Sequence, residues 1–346
     1  MKHPQQSILP TPVLEIGGTH VTAALVLPPA PVEGPNWAVL PGTTVRRDLN
    51  AHATAEGILD AIAEAANLLG GTGYTYDDSR GRGTRHGVTW LGAHTGEWGV
   101  ALPGPFDYRK GIALYEHVGK FDSLRGVDVG AGLAERLARA PRSIVFLNDA
   151  DAFGIGEYAI GVGGSSRRTA CITLGTGVGS TFLADGVPVK SGPDVPPDGS
   201  CYLLDYDGRP LEETVSRRAI RSAYAAAVAA RDGELPRSRS EAQPSADVRE
   251  IAEASRAGDA LAAGVLGHAF AAVGEAVGPY LRRFGAEVLI VGGSMSGSWD
   301  IVEPAIRQGL CFASPELAAL PIMRAARSEE AGLVGAAYHA RSRGQS

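Results

Sequence analysis

A short apolar strand that runs into a glycine-rich turn and out into a second apolar strand occurs twice in this chain, and this repeat constrains the fold most. Val13-Leu14-Glu15-Ile16 leads into Gly17-Gly18-Thr19-His20 and the apolar run 21–27. Residues 169–174 lead into Gly175-Thr176-Gly177-Val178-Gly179 and the run 180–183. Short apolar runs punctuated by glycine read as strands and turns rather than helices. A third such strand, 287–291, ends in Gly292-Gly293-Ser294. Glycines at these bends permit positive φ and leave backbone N–H groups open to an anion, and the interleaved hydroxyls add neutral donors. One such turn is equally well a hairpin bend without a ligand. None carries the lysine of a P-loop. Gly175-x-Gly177-x-Gly179 also fails as a dinucleotide fingerprint, because strand rather than helix follows it.

Between the two repeats lies Ile144-Val145-Phe146-Leu147-Asn148-Asp149-Ala150-Asp151-Ala152. Its first four residues predict a buried strand, and the helical segment 150–158 follows. A carboxylate at a strand end, just ahead of a helix, lies where α/β proteins place ligands. Asp149 is thus a candidate to accept a proton from a substrate hydroxyl, and helix capping by Asn148 or Asp149 is the plainer alternative. Asp151 is expected to be solvated and Glu157 to be structural.

Elsewhere, strands are expected at 37–47, 88–92, 98–102 and 322–325, with a rigid turn at Pro103-Gly104-Pro105. Helices are expected over 53–69, 131–138, 211–230, 248–254, 259–284, 301–309 and 331–341. The Gly-rich stretch 70–87 and the polar stretch 231–246 read as loops, and 28–35 as an irregular connection.

Three widely spaced cysteines permit no disulfide framework and no Cys-rich zinc motif, which suits a reducing cytoplasm. A formal charge of −6 argues against a nucleic-acid surface. No apolar run of the roughly 18 residues needed to cross a membrane is evident, nor a signal-peptide core, so no membrane partner is expected.

Taken together, Glu15-Ile16-Gly17-Gly18-Thr19, Leu102-Pro103-Gly104-Pro105, Asn148-Asp149-Ala150, Leu174-Gly175-Thr176-Gly177-Val178-Gly179 and Val291-Gly292-Gly293-Ser294 resemble the ROK family of sugar kinases, within the actin-like/hexokinase ATPase superfamily. The resemblance implies an α/β protein of two actin-like, ribonuclease H-like domains with a cleft between them. Residues 1–158, completed by 327–346, would form the first domain and 159–326 the second. It further implies ATP and Mg²⁺ as cofactors and a hexose as substrate. Gly17, Gly18 and Thr19 would form the first phosphate loop. Gly175, Thr176, Gly177 and Gly179 would form the second, with Gly292 and Gly293 against the adenosine. Asp149 would be the general base for the sugar 6-hydroxyl, and Asn148 would bind a neighbouring hydroxyl.

The chain departs from the family pattern in several places. Glu15 stands where an aspartate usually begins the first loop, and would reach Mg²⁺ through water. Pro197-Asp198-Gly199-Ser200-Cys201 replaces the element that carries the usual Glu and His sugar ligands, and the zinc-binding cysteines are missing, so no zinc site of that kind is expected. Glu212 matches another sugar-binding Glu. In Glu116-His117-Val118-Gly119-Lys120-Phe121, His117 would take the place of an Asn. Asp198, Asp205 and Asp207 are turn carboxylates that could also hold a sugar hydroxyl or amino group. The expected activity is glucokinase-like. An amino-hexose (kanosamine-type) acceptor and a catalytically silent sugar-binding protein are the alternatives, with polyphosphate a weaker donor than ATP. Only 12 residues precede Val13, too few for the DNA-binding domain of ROK repressors. Relatives are often dimers, so a homodimer is the assembly implied.

Overall fold

The computed structural model describes residues 9–29, 37–70, 96–233 and 246–343. The expected strand 88–92 lies outside these residues, as does most of the stretches 28–35, 70–87 and 231–246. The chain divides into two compact units. One comprises Met1–Gly161 with Glu329–Ser346, and the other Val162–Ser328.

The first unit opens with the antiparallel hairpin β1 (Thr11–Ile16) and β2 (His20–Leu27), in which Glu15 faces Thr22. The single strand expected over 37–47 is instead two short ones, β3 (Ala38–Val39) and β4 (Val45–Asp48), both paired with β2. The interruption has a local cause: Gly42 takes φ 75°, and the Thr43 hydroxyl donates to Leu40 O at 2.8 Å, which closes a turn between them. Helix α1 (Ala55–Asn67) is capped by Thr54 and buries Ile58, Leu59 and Ile62. Then follow β5 (Glu97–Leu102), the small hairpin of β6 (Phe106–Asp107) and β7 (Ile112–Ala113), α2 (Val129–Arg136), β8 (Ser143–Asn148) and α3 (Asp149–Ile160). The sheet order is β3-β2-β1-β5-β8, with β4 also on β2, and β1, β5 and β8 run parallel.

The second unit repeats this layout. β9 (Arg168–Leu174) and β10 (Val178–Ala184) form the hairpin, and β11 (Val187–Pro188) extends it. A second small hairpin, β12 (Asp205–Tyr206) and β13 (Arg209–Pro210), leads to α4 (Glu212–Val215) and α5 (Arg217–Arg231). One helix was expected over 211–230, but it breaks at Ser216. That residue turns extended (φ −62°, ψ 155°) and its hydroxyl accepts from Ala219 N at 3.3 Å, so it ends α4 and caps α5. After α6 (Val248–Arg256) and α7 (Ala260–Phe284) come β14 (Val288–Gly292), α8 (Trp299–Ala313) and the edge strand β15 (Ile322–Arg324). The sheet order is β11-β10-β9-β14-β15, and β9, β14 and β15 run parallel. The last helix, α9 (Ala331–Arg343), belongs to the first unit.

Two observations correct the sequence reading. Helix α7 is, by length and composition, apolar enough to cross a membrane, although no such run was expected. Its apolarity has a use in the fold, since it buries Leu266, Phe270, Val273, Val277 and Leu281 in the core of the second unit. Asp151 is buried at 6% exposure rather than solvated. It stands in the first turn of α3, where the helix N-terminus stabilises a carboxylate.

Candidate active site

In the first unit the site is built at the adjoining ends of β1 and β8. The register Glu15↔Ala101 and Ala101↔Leu147 runs across three parallel strands, which brings Glu15 level with the start of α3. Asn148 caps α3: its Oδ1 accepts from Ala150 N at 3.0 Å and Asp151 N at 3.4 Å, and its Nδ2 donates to the Tyr108 hydroxyl at 3.1 Å. That hydroxyl in turn donates to Leu102 O at 3.3 Å. The neighbouring Tyr115 hydroxyl donates to Pro103 O at 2.6 Å. The amide of Asn148 is thus clamped between helix and tyrosine, with one N–H left for a ligand.

Asp149 is the first residue of α3, and its Oδ1 accepts from Ala150 N at 2.9 Å. Its carboxyl reaches solvent. Loss of hydration in its crowded surroundings raises its pKa; the Ala150 N–H and the Lys120 charge pull it back, and the Asp151 charge pushes it up again. Glu15 is half-buried, and burial lifts its pKa to about 7. The Asp149 charge adds to that rise and Arg46 opposes it. Arg46 lies level with Glu15 on the same face of the sheet, through the pairs Glu15↔Thr22 and Thr22↔Arg46. The first turn of α9 abuts the same carboxylate: a Cβ on Gly332 would lie 2.6 Å from Glu15 Oε1.

The first glycine turn closes with Gly17 N donating to His20 O at 2.9 Å. Thr19 is exposed, and its hydroxyl lies 3.1 Å from His20 Nδ1. A Cβ on Gly18 would touch the Lys120 side chain at 3.4 Å. Lys120 therefore faces the turn and acts electrostatically on Asp149. His117, three residues earlier, sits exposed in a left-handed turn (φ 56°).

In the second unit, Gly175 N donates to Gly177 O at 3.1 Å, and Arg217 N donates to Gly175 O at 2.9 Å, which anchors the turn to the start of α5. Thr176 is exposed at its tip. The Glu212 carboxylate accepts from Val178 N at 3.0 Å and fills the space where a Cβ on Gly177 would stand. Gly17, Gly18, Gly175 and Gly177 do not adopt positive φ. Close approach, not left-handed backbone, is what Gly177 supplies. Gly293 does need it, at φ 83°, and packs against the Leu174 backbone. Gly292 is buried as the last residue of β14, opposite Thr173, and Gly179 pairs with the same residue from β10. Beyond Gly293 lies a groove of 560 Å³ lined by Ser294, Met295, Gly297 and Ser298 on one side and Arg217, Val248 and Arg249 on the other.

Asp198 stands exposed in a short 3-10 turn at φ 54°. Asp207 has φ 53°, and Asp205 accepts from Gly208 N at 3.4 Å, as carboxylates of tight turns do. No hydrogen bond among the described residues joins Asp198 to Glu212. No three His, Cys, Asp or Glu side chains among the described residues gather as a metal cage. The paired charges of Glu15 and Asp149 nevertheless suit Mg²⁺, which takes one or two carboxylates and fills its sphere with water and phosphate oxygens. Lys120, Tyr108 and Arg46 were missed as site residues. Only for Lys120 was there a signal, a cation inside the segment where His117 had been singled out.

Two sheets of one layout, each with a glycine turn in its antiparallel hairpin and one with a carboxylate at the end of its last parallel strand, define an α/β protein of the actin-like ATPase fold. The ROK family model matches residues 91–343, and the chain belongs to the ROK family. A glucokinase of Thermotoga maritima is 28% identical over 256 residues, 69% of this chain and 77% of its own. Among solved structures, a ROK hexokinase from Thermus thermophilus superposes with TM-score 0.69 at 21% identity, covering 97% of this chain and 99% of that one. A ROK glucokinase from Streptomyces griseus, in complex with glucose and AMPPNP, gives 0.63 at 23% identity, with coverage of 96% and 99%.

Proposed function

We propose that this protein is an ATP-dependent sugar kinase that phosphorylates a hexose at its 6-hydroxyl, with Asp149 as the general base. The observation that carries the reading is Asp149 itself, a solvent-accessible carboxylate just past the end of β8 whose pKa is raised and which accepts from the Ala150 N–H. A carboxylate of raised pKa is a better proton acceptor for a hydroxyl. The sugar oxygen attacks the γ-phosphorus as its proton passes to Asp149, an O–P bond forms, and the bond to the bridging oxygen of ADP breaks. Such a transfer asks mainly for positioning and charge neutralisation. Gly17, Gly18, Thr19, Gly175, Thr176, Gly177 and Gly179 offer backbone N–H groups and hydroxyls to the phosphates. The groove beside Gly292 and Gly293 offers the adenosine a lodging. Mg²⁺ would be held by Glu15 through water and would supply charge neutralisation at the phosphates. The glucokinase names of the relatives favour glucose as acceptor.

On the sugar side we assign Asn148, through its remaining N–H, together with His117, Asp198 and the second oxygen of Glu212. The exposed carboxylate of Asp198, which forms no ion pair among the described residues, favours one further reading, an amino-hexose whose ammonium it would hold. Asp149→Asn is expected to lower kcat by about 10²–10⁴-fold while leaving ATP affinity in place. Near wild-type turnover would remove Asp149 from the role. A panel of glucose, amino-hexoses and N-acetyl-hexoses under coupled assay identifies the acceptor. No turnover on any of them would point to a silent sugar-binding protein.

A further inference from the structure

A cavity of 1080 Å³ opens in the second unit beside the start of α5, the early turns of α7 and β13. Its polar wall carries four guanidiniums, from Arg209, Arg217, Arg218 and Arg221, against one carboxylate, from Glu213. Arg217 is committed to Asp247 through two bonds of 2.8 and 2.7 Å, and Arg221 donates to Ala246 O at 3.0 Å. Arg218 is exposed and forms no ion pair among the described residues. Arg209 Nε and Thr214 Oγ1 are buried and have no hydrogen-bond partner among the described residues, and Thr214 is only 7% exposed. Buried donors are almost always paired, so these two mark a place where an acceptor belongs. The start of α5 adds its dipole to the same wall, although the Arg217 and Ala219 N–H groups are already bonded to Gly175 O and the Ser216 hydroxyl. The rest of the lining is small: Ala223, Ala226 and Ala269 line it, and a Cβ on Gly264 would meet nothing within 4 Å.

We infer that this cavity is a second anion site, which takes a phosphate-bearing small molecule, either a condensed phosphate or a phosphate ester. Arginine has five donors and no acceptor, so the partner must be an acceptor and anionic. Two guanidiniums, a hydroxyl and a helix start ask for more oxygens than a carboxylate has, and the tetrahedral oxygens of phosphate match guanidinium forks in pairs. The small-residue wall leaves room for the rest of the ligand. Ser294, Met295 and Ser298 of the adenosine groove are not among the lining residues, whereas Thr176 and Arg217 are. The site therefore adjoins the second glycine turn without coinciding with the groove.

The test is calorimetric titration of the full chain without sugar, in saturating AMPPNP so that the nucleotide groove is filled. Tripolyphosphate and glucose 6-phosphate are the two ligands, and sodium sulfate is the control. One of the phosphates is expected to bind saturably with Kd below about 1 mM. Arg209→Ala and Arg218→Ala should each weaken it about tenfold, and Thr214→Val several-fold. Binding of tripolyphosphate alone identifies a condensed phosphate, and binding of the ester alone identifies a phosphorylated metabolite. Absence of saturable binding by either, or equal binding by wild type and Arg218→Ala, overturns the proposal. Arg218 is exposed, so its variant tests the site even where Arg209→Ala does not fold. Because no turnover is read, the outcome is independent of whether the sugar reaction is correctly assigned.

Discussion

Glu15 and Asp149 stand at the ends of two strands of one sheet; burial makes both harder to ionise, and the Asp149 charge adds to that for Glu15. For Glu15 the consequence is a stability that depends on pH. Its ordinary pKa of 4.5 becomes about 7 in the folded chain, so between these values the folded state holds the proton that the unfolded state has lost. Stability therefore falls as pH rises through that window, and above it the full penalty of the buried charge is present. Glu15→Gln removes the penalty. In metal-free buffer this variant should exceed wild type at pH 8 by on the order of 1–3 kcal/mol, with the difference vanishing near pH 4.5. Urea unfolding at the two pH values measures it, and an equal difference at both would sink the argument. Asp149 was legible in the sequence because it directly follows an apolar run that declares itself as a strand, whereas Glu15, inside its strand, was legible only through the resemblance of the first glycine turn to a ROK phosphate loop. Lys120, Tyr108 and Arg46 were not, since what places them is strand pairing and loop closure over tens of residues, to which local pattern is blind.

At the scale of elements, α3 and α9 approach so closely that backbone meets backbone. A Cβ on Gly156 would overlap Ala331 O, and one on Gly335 would overlap Ala152 O. No rotamer relieves an overlap with a carbonyl, so the helices would have to separate along their length. Gly156→Ala is expected to destabilise the first unit by on the order of 3 kcal/mol, as is Gly335→Ala. The double variant should cost less than the sum, because one separation relieves both clashes. Thermal unfolding of the three variants tests this, and a neutral Gly156→Ala would refute the close crossing. The sequence showed these helices but not their crossing, since a glycine in a helix looks the same whether it faces solvent or a carbonyl. The break at Ser216 was hidden for a related reason. Apolar spacing at Val215, Ala219 and Ala223 runs on across it, and only the Ser216 hydroxyl bonding to Ala219 N reveals the second helix start. The membrane-like composition of α7 shows the converse: the helix itself was legible over 259–284, but its apolarity was not, because glycines and alanines break up the run of large apolar side chains.

At the scale of the whole chain, the same sheet layout occurs twice, each with its own core. Phe182, Phe270, Phe284 and Leu289 belong to the core of the second unit, and Leu14, Ile58, Trp98 and Leu133 to that of the first. The second unit is one continuous stretch, Val162–Ser328, whereas the first is completed only by the final helix. That asymmetry decides what truncation does. Helix α9 lies against the sheet of the first unit, where a Cβ on Gly99 would overlap Ala336 O, and it fills the groove of α3 with Ala331, Val334 and Gly335 buried. A chain ending at Ser328 leaves that sheet face bare, exposing apolar area that each large side chain values at about 1.5–3 kcal/mol. A domain's net stability is only about 5–15 kcal/mol, so the first unit should not survive the loss. The second unit keeps every member of its core. Limited proteolysis of the truncated chain, followed by mass spectrometry, should yield a resistant fragment within 162–328 and rapid cleavage throughout 9–161. If 9–161 stays as resistant as in the full chain, α9 is an accessory to the first unit rather than part of its core.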